Sequence, residues 1–509
     1  MTVTLNGHDL TFEQLAAVVF AREEVLLEAE AARRMAASRE VVERLVSSGA
    51  AAYGINTGFG KLATVRISAE QVRQLQINLV RSHACGVGAP FNEEETRAMM
   101  LLRASALAKG LSGVRPVLVE TLCVMLNRGV HPVIPSQGSV GASGDLAPLA
   151  HLALVLIGEG QARYQGETLG GGEVLACAGI QPVELEAKEG LSLLNGTQGM
   201  LALISLALGD ADVLADTADV AASLSLDALR GSPAAFDERI AQARPHAGAA
   251  ITADHVRRLN EGSHIRESHR PADRDPRVQD PYSLRCTPQV HGAVRDSLAQ
   301  ARAVAQIELN SATDNPLVFL PASGSGEGVI LSGGNFHGQP LALAADHMAI
   351  ALATLGGISE RRIAQMTSPL TSLLPAFLTP DPGLHSGFMI AQVTAAALAS
   401  ENKVLAAPHS VDSISTSGDQ EDYVSMGMGA ARRLRRMIEN LRQILAIELL
   451  CACQGIELLA PLETGREARQ ALQLVRSVSP PLAQDRSLAP DIQAVAGKIG
   501  EGRFAQLLR

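Results

Sequence analysis

The stretch Ser136-Gln137-Gly138-Ser139-Val140-Gly141-Ala142-Ser143-Gly144-Asp145-Leu146-Ala147-Pro148-Leu149 decides how the rest of the chain is read. Its local reading is a Gly/Ser loop entering a helix. Alone, the triplet Ala142-Ser143-Gly144 supports nothing more. A hydrolase nucleophile elbow is excluded, because Gly-x-Ser-x-Gly needs glycine where Asp145 stands. Glycine at 144 removes the Cβ that would block close approach within the triplet.

Working outward, the chain has 509 residues, 47% of them hydrophobic but only 3% aromatic. An apolar content made of Ala, Leu, Val and Ile favours long, closely packed helices over a β-sandwich. The net charge of −10 argues against nucleic acid or an anionic membrane as partner. Arg432, Arg433, Arg435 and Arg436 form the one basic run, expected on a solvated helix face or a subunit contact. The six cysteines form no C-x-x-C pair and H-E-x-x-H is absent, so no metal site is evident. His264 and His269 are expected on a surface loop. The first residues carry no signal-peptide pattern, and the longest apolar run, near Leu152 to Ile157, is too short to cross a bilayer. A soluble, cytoplasmic protein is expected.

Residues 1–112 read as a mixed N-terminal domain and 113–509 as a central and C-terminal helical bundle. In the first, a hairpin is expected to turn at Asn6-Gly7, followed by helices over Glu13–Ala37 and Arg39–Ser48. The loop Gly54-Ile55-Asn56-Thr57-Gly58-Phe59-Gly60 is no phosphate cradle, since Ile55 and Leu62 occupy required positions. In the second, helices are expected over 115–127, 147–158, 199–229, 288–310, 338–365, 386–406 and 430–460. The last carries Leu434, Met437, Ile438, Leu441, Ile444, Leu445 and Glu448 at helical spacing. Small hairpins are expected over 162–169 and 317–331.

Four further strings accompany the triplet: Tyr53-Gly54-Ile55-Asn56-Thr57-Gly58-Phe59-Gly60, Leu191-Ser192-Leu193-Leu194-Asn195-Gly196-Thr197, Gln279-Asp280-Pro281-Tyr282-Ser283-Leu284-Arg285, and Thr313-Asp314-Asn315-Pro316 with Gly334-Asn335-Phe336-His337. Together, in this order, they resemble the aromatic amino acid ammonia-lyases over most of the chain. The resemblance implies a mainly α, fumarase/aspartase-like fold with a long central bundle. It also implies a homotetramer whose active sites combine loops from more than one subunit.

In that family the triplet cyclises into 4-methylidene-imidazol-5-one, and no external cofactor is used. The residue types suit this chemistry. The Gly144 nitrogen attacks the Ala142 carbonyl, and Ser143 loses its hydroxyl as water to leave the methylidene. Elimination of ammonia then needs a base facing the β-carbon. By resemblance that base is Tyr53, while Arg285 clamps the substrate carboxylate with its planar fork. Asn195 and Tyr282 resemble residues that polarise the ring oxygen or hold the amino group. Phe336 resembles the aromatic beside the electrophile, and Gln279 and Asn315 are supporting candidates. Read singly, each of these is an ordinary cap, ion pair or core residue.

Substrate choice falls to two further places. Family members acting on histidine have Ser-His where this chain has Ser82-His83, and His83 can hydrogen-bond an imidazole. Glu421, in Gln420-Glu421-Asp422, resembles the glutamate that pairs with that ring. Asp419 and Tyr423 depart from the Asn and His usual on either side of it. The resemblance therefore implies conversion of L-histidine to trans-urocanate and ammonia. A tyrosine or phenylalanine lyase, an aminomutase, or an inactive helical oligomer are the alternatives.

Overall fold

The computed structural model describes all residues except 1, 50–51, 59, 63, 272–274, 276 and 322–327. Phe59 of the glycine-rich string and the tip of the 317–331 hairpin thus lie outside the described residues. Helix dominates, with the longest runs at Gln198–Ala228, Gln339–Thr367 and Gly427–Glu457. The seven helices expected beyond residue 113 all form, each within three residues of its expected bounds. The stripe from Leu434 to Glu448 is buried throughout.

The chain folds into two compact units. The first comprises Met1–Leu206, Arg302–Asp346 and Pro408–Arg432; the second comprises Ala207–Ala301, His347–Ala407 and Arg433–Arg509. The unit that holds residues 1–112 thus runs on to Leu206 and takes in two later segments.

The N-terminus of the first unit corrects the sequence expectation. Val3–Leu5 does not turn back at Asn6-Gly7 but pairs in parallel with Val25–Leu27, in register Val3↔Val25 and Leu5↔Leu27. A parallel pair needs a crossover, here the helix Phe12–Phe20, which opens on a Thr11/Gln14 capping box. Gly7 instead lets the chain pass the backbone of Lys109, 2.4 Å from where a Cβ would stand. The long helix expected over 13–37 breaks because Arg22 takes a left-handed conformation. Beyond the break, the Asn127 amide claims the backbone N–H and C=O of Val25 at 2.8 and 2.9 Å. Helix then resumes over Ala29–Ser48.

Two helices of this unit, Val72–His83 and Glu93–Ala108, fall outside the expected set. Glu93–Ala108 is buried on every face from Glu95 onward, so it shows no amphipathic period. The hairpins Gln161–Tyr164/Glu167–Gly170 and Leu317–Phe319/Val329–Leu331 form as expected. Val318 of the second hairpin closes a core cluster with Val41, Val42, Ile55, Val72 and Ala187.

In the second unit the helices enclose ionic clusters. Arg362 and Glu448, both fully buried, meet at 2.5 and 3.0 Å, and Ser225 and Ser359 donate to the same carboxylate. Asp219 accepts from His255, His291 and Arg295 at 2.9, 2.7 and 2.6 Å. His269, expected at the surface, is buried, its ring Nδ1 2.7 Å from the Ile265 carbonyl. In the arginine run, Arg435 and Arg436 do lie on an exposed face, paired with Glu439 and Glu401. Arg433 departs from that reading: it is buried and donates to the Ala407 carbonyl.

Contrary to expectation, Gln198–Ala228 and Gln339–Thr367 are long and apolar enough to cross a bilayer by length and composition. Their apolar windows are 72% and 61% buried within the protein, as in core helices. Because removing one partner leaves the other charge uncompensated, Arg362→Met should lower stability by about 3–5 kcal/mol, read from denaturant unfolding. An unchanged midpoint would refute that estimate.

Candidate active site

The first unit contains a cavity of about 860 Å³. Tyr53, His83, Ala142, Ser143, Asn195, Asn315, Phe336 and Glu421 all line it, although they are drawn from distant parts of the sequence. Leu62, Leu75, Leu79, Leu146, Leu191 and Leu194 supply its apolar wall.

Glycine contacts hold the triplet in place. Gly144, at φ +72, bridges to Gly196, and Asp145 N–H donates to the Gly196 carbonyl at 2.7 Å. A Cβ on Gly144 would stand 2.1 Å from that same oxygen, so only glycine fits there. Gly141 is likewise closed off, with Ser425 Oγ 2.1 Å from its missing Cβ. Two helices begin beside the triplet, Leu146–Leu156 and Gln198–Ala228. Asp145 ties them together: its carboxylate accepts from Met200 N–H at 2.7 Å and Ser139 Oγ at 3.0 Å. Burial pushes the Asp145 carboxyl up to about 7, against the pull of those donors.

Asn195 ends the short helix Glu189–Leu194 and is buried. Its Nδ2 donates to Asp314 Oδ1 at 3.2 Å and to the Asn315 carbonyl at 3.1 Å. Its Oδ1 is buried with no hydrogen-bond partner among the described residues. Beneath it, Arg103 donates to the Asn195 carbonyl and to Gln198 Oε1, both at 2.9 Å. Burial lowers the Arg103 guanidinium to about 10. Lys188 and Asp314, also fully buried, pair at 2.9 Å.

Elsewhere in the lining, His83 Nδ1 lies 2.9 Å from the Leu79 carbonyl. That contact places the ring proton on Nδ1 and leaves Nε2 as an acceptor. Burial lowers the pKa of His83, which favours the neutral ring. Glu421 Oε1 lies 3.5 Å from Ser143 Oγ, while Oε2 accepts from Thr416 Oγ1 at 2.6 Å. Tyr53 Oη accepts from Gly60 N–H at 3.4 Å.

Three expected site residues do not line this cavity. Gln279, Tyr282 and Arg285 belong to the second unit, around the one-turn helix Tyr282–Arg285. Tyr282 is 71% exposed, and the Arg285 guanidinium sits 4.6 Å over its ring. Arg285 Nε donates to the Asp280 carbonyl at 3.0 Å. The two departures also stand back from the cavity. Asp419 is at φ +64, a conformation that Asn and Asp adopt more readily than most residues. Tyr423 is 60% exposed and stacks on His337 with centroids 6.3 Å apart. Sequence reasoning missed Thr416, which carries no signal within a run of Ser and Thr, and Asn78 and Gln420 of the lining.

Residues 10–477 match the sequence profile of the family described as aromatic amino acid lyase. The chain is 55% identical, over 99% of both sequences, to a histidine ammonia-lyase of Koribacter versatilis. The crystal structure of histidine ammonia-lyase from Trypanosoma cruzi superposes with a TM-score of 0.91 at 44% identity, covering 100% of this chain and 95% of that one. Tyrosine aminomutase from Streptomyces globisporus does so with 0.94 at 41% identity, covering 100% and 98%.

The raised pKa of Asp145 has a consequence for stability. A carboxyl that titrates near 7 when folded and near 3.9 when unfolded holds its proton in the native state. Its contribution is full below about 3.9 and is lost as pH rises through about 7. Asp145→Asn should therefore gain stability relative to the parent across that window and level off above it. Unfolding curves at several pH values check this, and a pH-independent difference would contradict it.

Proposed function

Because the chain belongs to the aromatic amino acid lyase family, we propose that it is a carbon–nitrogen lyase removing ammonia from L-histidine to leave trans-urocanate. The observation that carries this reading is that Ser143, His83 and Glu421 line one cavity. His83 presents an acceptor nitrogen and Glu421 a carboxylate, and an imidazole N–H can donate to either. A phenyl ring offers no donor and would leave both acceptors unpaired.

The residues present fit the family's methylidene-imidazolone. Gly144 is pressed onto Gly196 where any side chain would clash, and Ala142 and Ser143 face the cavity. The proposed cyclisation joins the Gly144 nitrogen to the Ala142 carbonyl carbon and expels two waters. The group supplies an electrophilic carbon that accepts an electron pair from the substrate. Tyr53 takes the β-proton on its phenolic oxygen. Both hydrogens of Asn195 Nδ2 are used on Asp314 and Asn315, so Oδ1 remains to accept from the substrate amino group. Phe336 and Asn315 line the same cavity, Phe336 as the aromatic beside the electrophile and Asn315 in support.

Gln279, Tyr282 and Arg285 complete the proposal from a neighbouring subunit, with Arg285 clamping the carboxylate. Their absence from the cavity lining and the exposure of Tyr282 support this. Long helices also leave apolar side chains uncovered in the protomer, among them Leu343, Ile350, Ile390, Val393 and Val404. A cytoplasmic homotetramer is the assembly proposed.

Incubation with L-histidine, L-tyrosine and L-phenylalanine in parallel should give urocanate absorbance from histidine alone. Ser143→Ala should lose nearly all turnover, and its intact mass should lack the two-water deficit of the parent. Coumarate, cinnamate or a β-amino acid would instead assign the chain to another substrate or to an aminomutase.

The subunit arrangement has its own test. Ser143→Ala and Arg285→Ala should each be inactive alone. Co-expressed, they should recover partial activity, because some mixed sites receive both intact residues. No recovery in a mixed tetramer would overturn the shared site.

A further inference from the structure

Glu421 stands at the foot of a tight loop whose geometry decides where its carboxylate points. Thr416 and Glu421 close the loop with reciprocal backbone bonds of 3.0 and 3.3 Å. Between them Ser417, Gly418 and Asp419 take three successive left-handed conformations, at φ +52, +60 and +64. A second clasp lies just outside, where Ser415 Oγ donates to Asp419 Oδ1 at 2.6 Å. The tip rests against the Tyr53 arm, with Ser417 Oγ 2.8 Å from the position a Cβ on Gly60 would take.

Within this frame the shortest contact to the Glu421 carboxylate comes from a side chain. Thr416 Oγ1 donates to Oε2 at 2.6 Å, a charge-assisted bond that fixes rotation of the carboxylate. With Oε2 occupied, Oε1 is the oxygen 3.5 Å from Ser143 Oγ. Thr416 itself does not line the cavity.

We propose that Thr416 is a positioning residue for substrate selection, whose hydroxyl holds the Glu421 carboxylate so that Oε1 meets the imidazole of the substrate. The proposal rests on the role given to Glu421 above. Without the hydroxyl, the carboxylate turns on its flexible stem and the substrate ring loses a fixed acceptor.

Thr416→Val keeps the branched shape and removes only the donor. It should lower kcat/KM for L-histidine by about 10- to 100-fold, the range for a hydrogen bond to a charged group. Most of the change should fall on KM, because the reacting carbon and the electrophile are untouched. Thr416→Ser, which restores the hydroxyl, should recover most of the loss. In a Glu421→Gln background, Thr416→Val should add little, since the pair acts as a unit. Intact mass should retain the two-water deficit in every variant, separating this effect from failed cyclisation.

Equal losses in Thr416→Val and Thr416→Ser would make the residue a packing element and overturn the proposal. So would parental kinetics in Thr416→Val beside a large loss in Glu421→Gln, which leaves the wider functional reading standing. Parental kinetics in Glu421→Gln would overturn both.

Discussion

The contact between Gly144 and Gly196 is the constraint on which the site depends. Two loops, far apart in sequence, approach until the carbonyl of one fills the space where the other would carry a side chain. The Asp145 N–H closes the contact at 2.7 Å, and the Asp145 carboxylate then reaches Met200 on the far side of the Gly196 loop. Ser143 is thereby carried on a short segment held from both ends. A backbone so held would have little entropy left to lose in the cyclisation proposed for it.

Beneath that contact lies an unusual density of buried charge. Arg103, Lys188 and Asp314 are all removed from solvent; Arg103 and Asp314 bond Asn195 directly, and Lys188 holds Asp314. Burying these groups costs stability that apolar residues would not cost. What it yields is direction. Asp314 and Asn315 use both donors of Asn195 Nδ2, so the remaining oxygen is aimed by the network rather than by chance rotation.

How much of this was legible in the sequence differs by region. The long helices were, because small apolar residues at helical spacing specify them locally. Tyr53, His83, Asn195, Phe336 and Glu421 were legible as members of strings, and the cavity brings them together with the triplet. The parallel strands at the N-terminus were not, since their pairing depends on Asn127, a side chain far along the chain. Glu93–Ala108 hid for the opposite reason: buried all round, it has no polar face to reveal a period. Its Asn92/Glu95 capping box was the usable signal. Thr416 gave none, because what distinguishes it from neighbouring Ser and Thr is one contact across the loop.

The same distribution explains how one scaffold serves different amino acids. Tyrosine aminomutase of Streptomyces globisporus shares the fold of this chain at a TM-score of 0.94, so the helical framework alone cannot choose the substrate. In the reading proposed above, choice falls to side chains at the cavity wall. The loop bearing Glu421 carries one of them. Its left-handed tip is set by its own backbone bonds and by the Ser415–Asp419 clasp. Aspartate at 419 tolerates the left-handed conformation more readily than most residues and offers Ser415 an acceptor. With Asp419 in that turn, Glu421 Oε1 lies 3.5 Å from Ser143 Oγ.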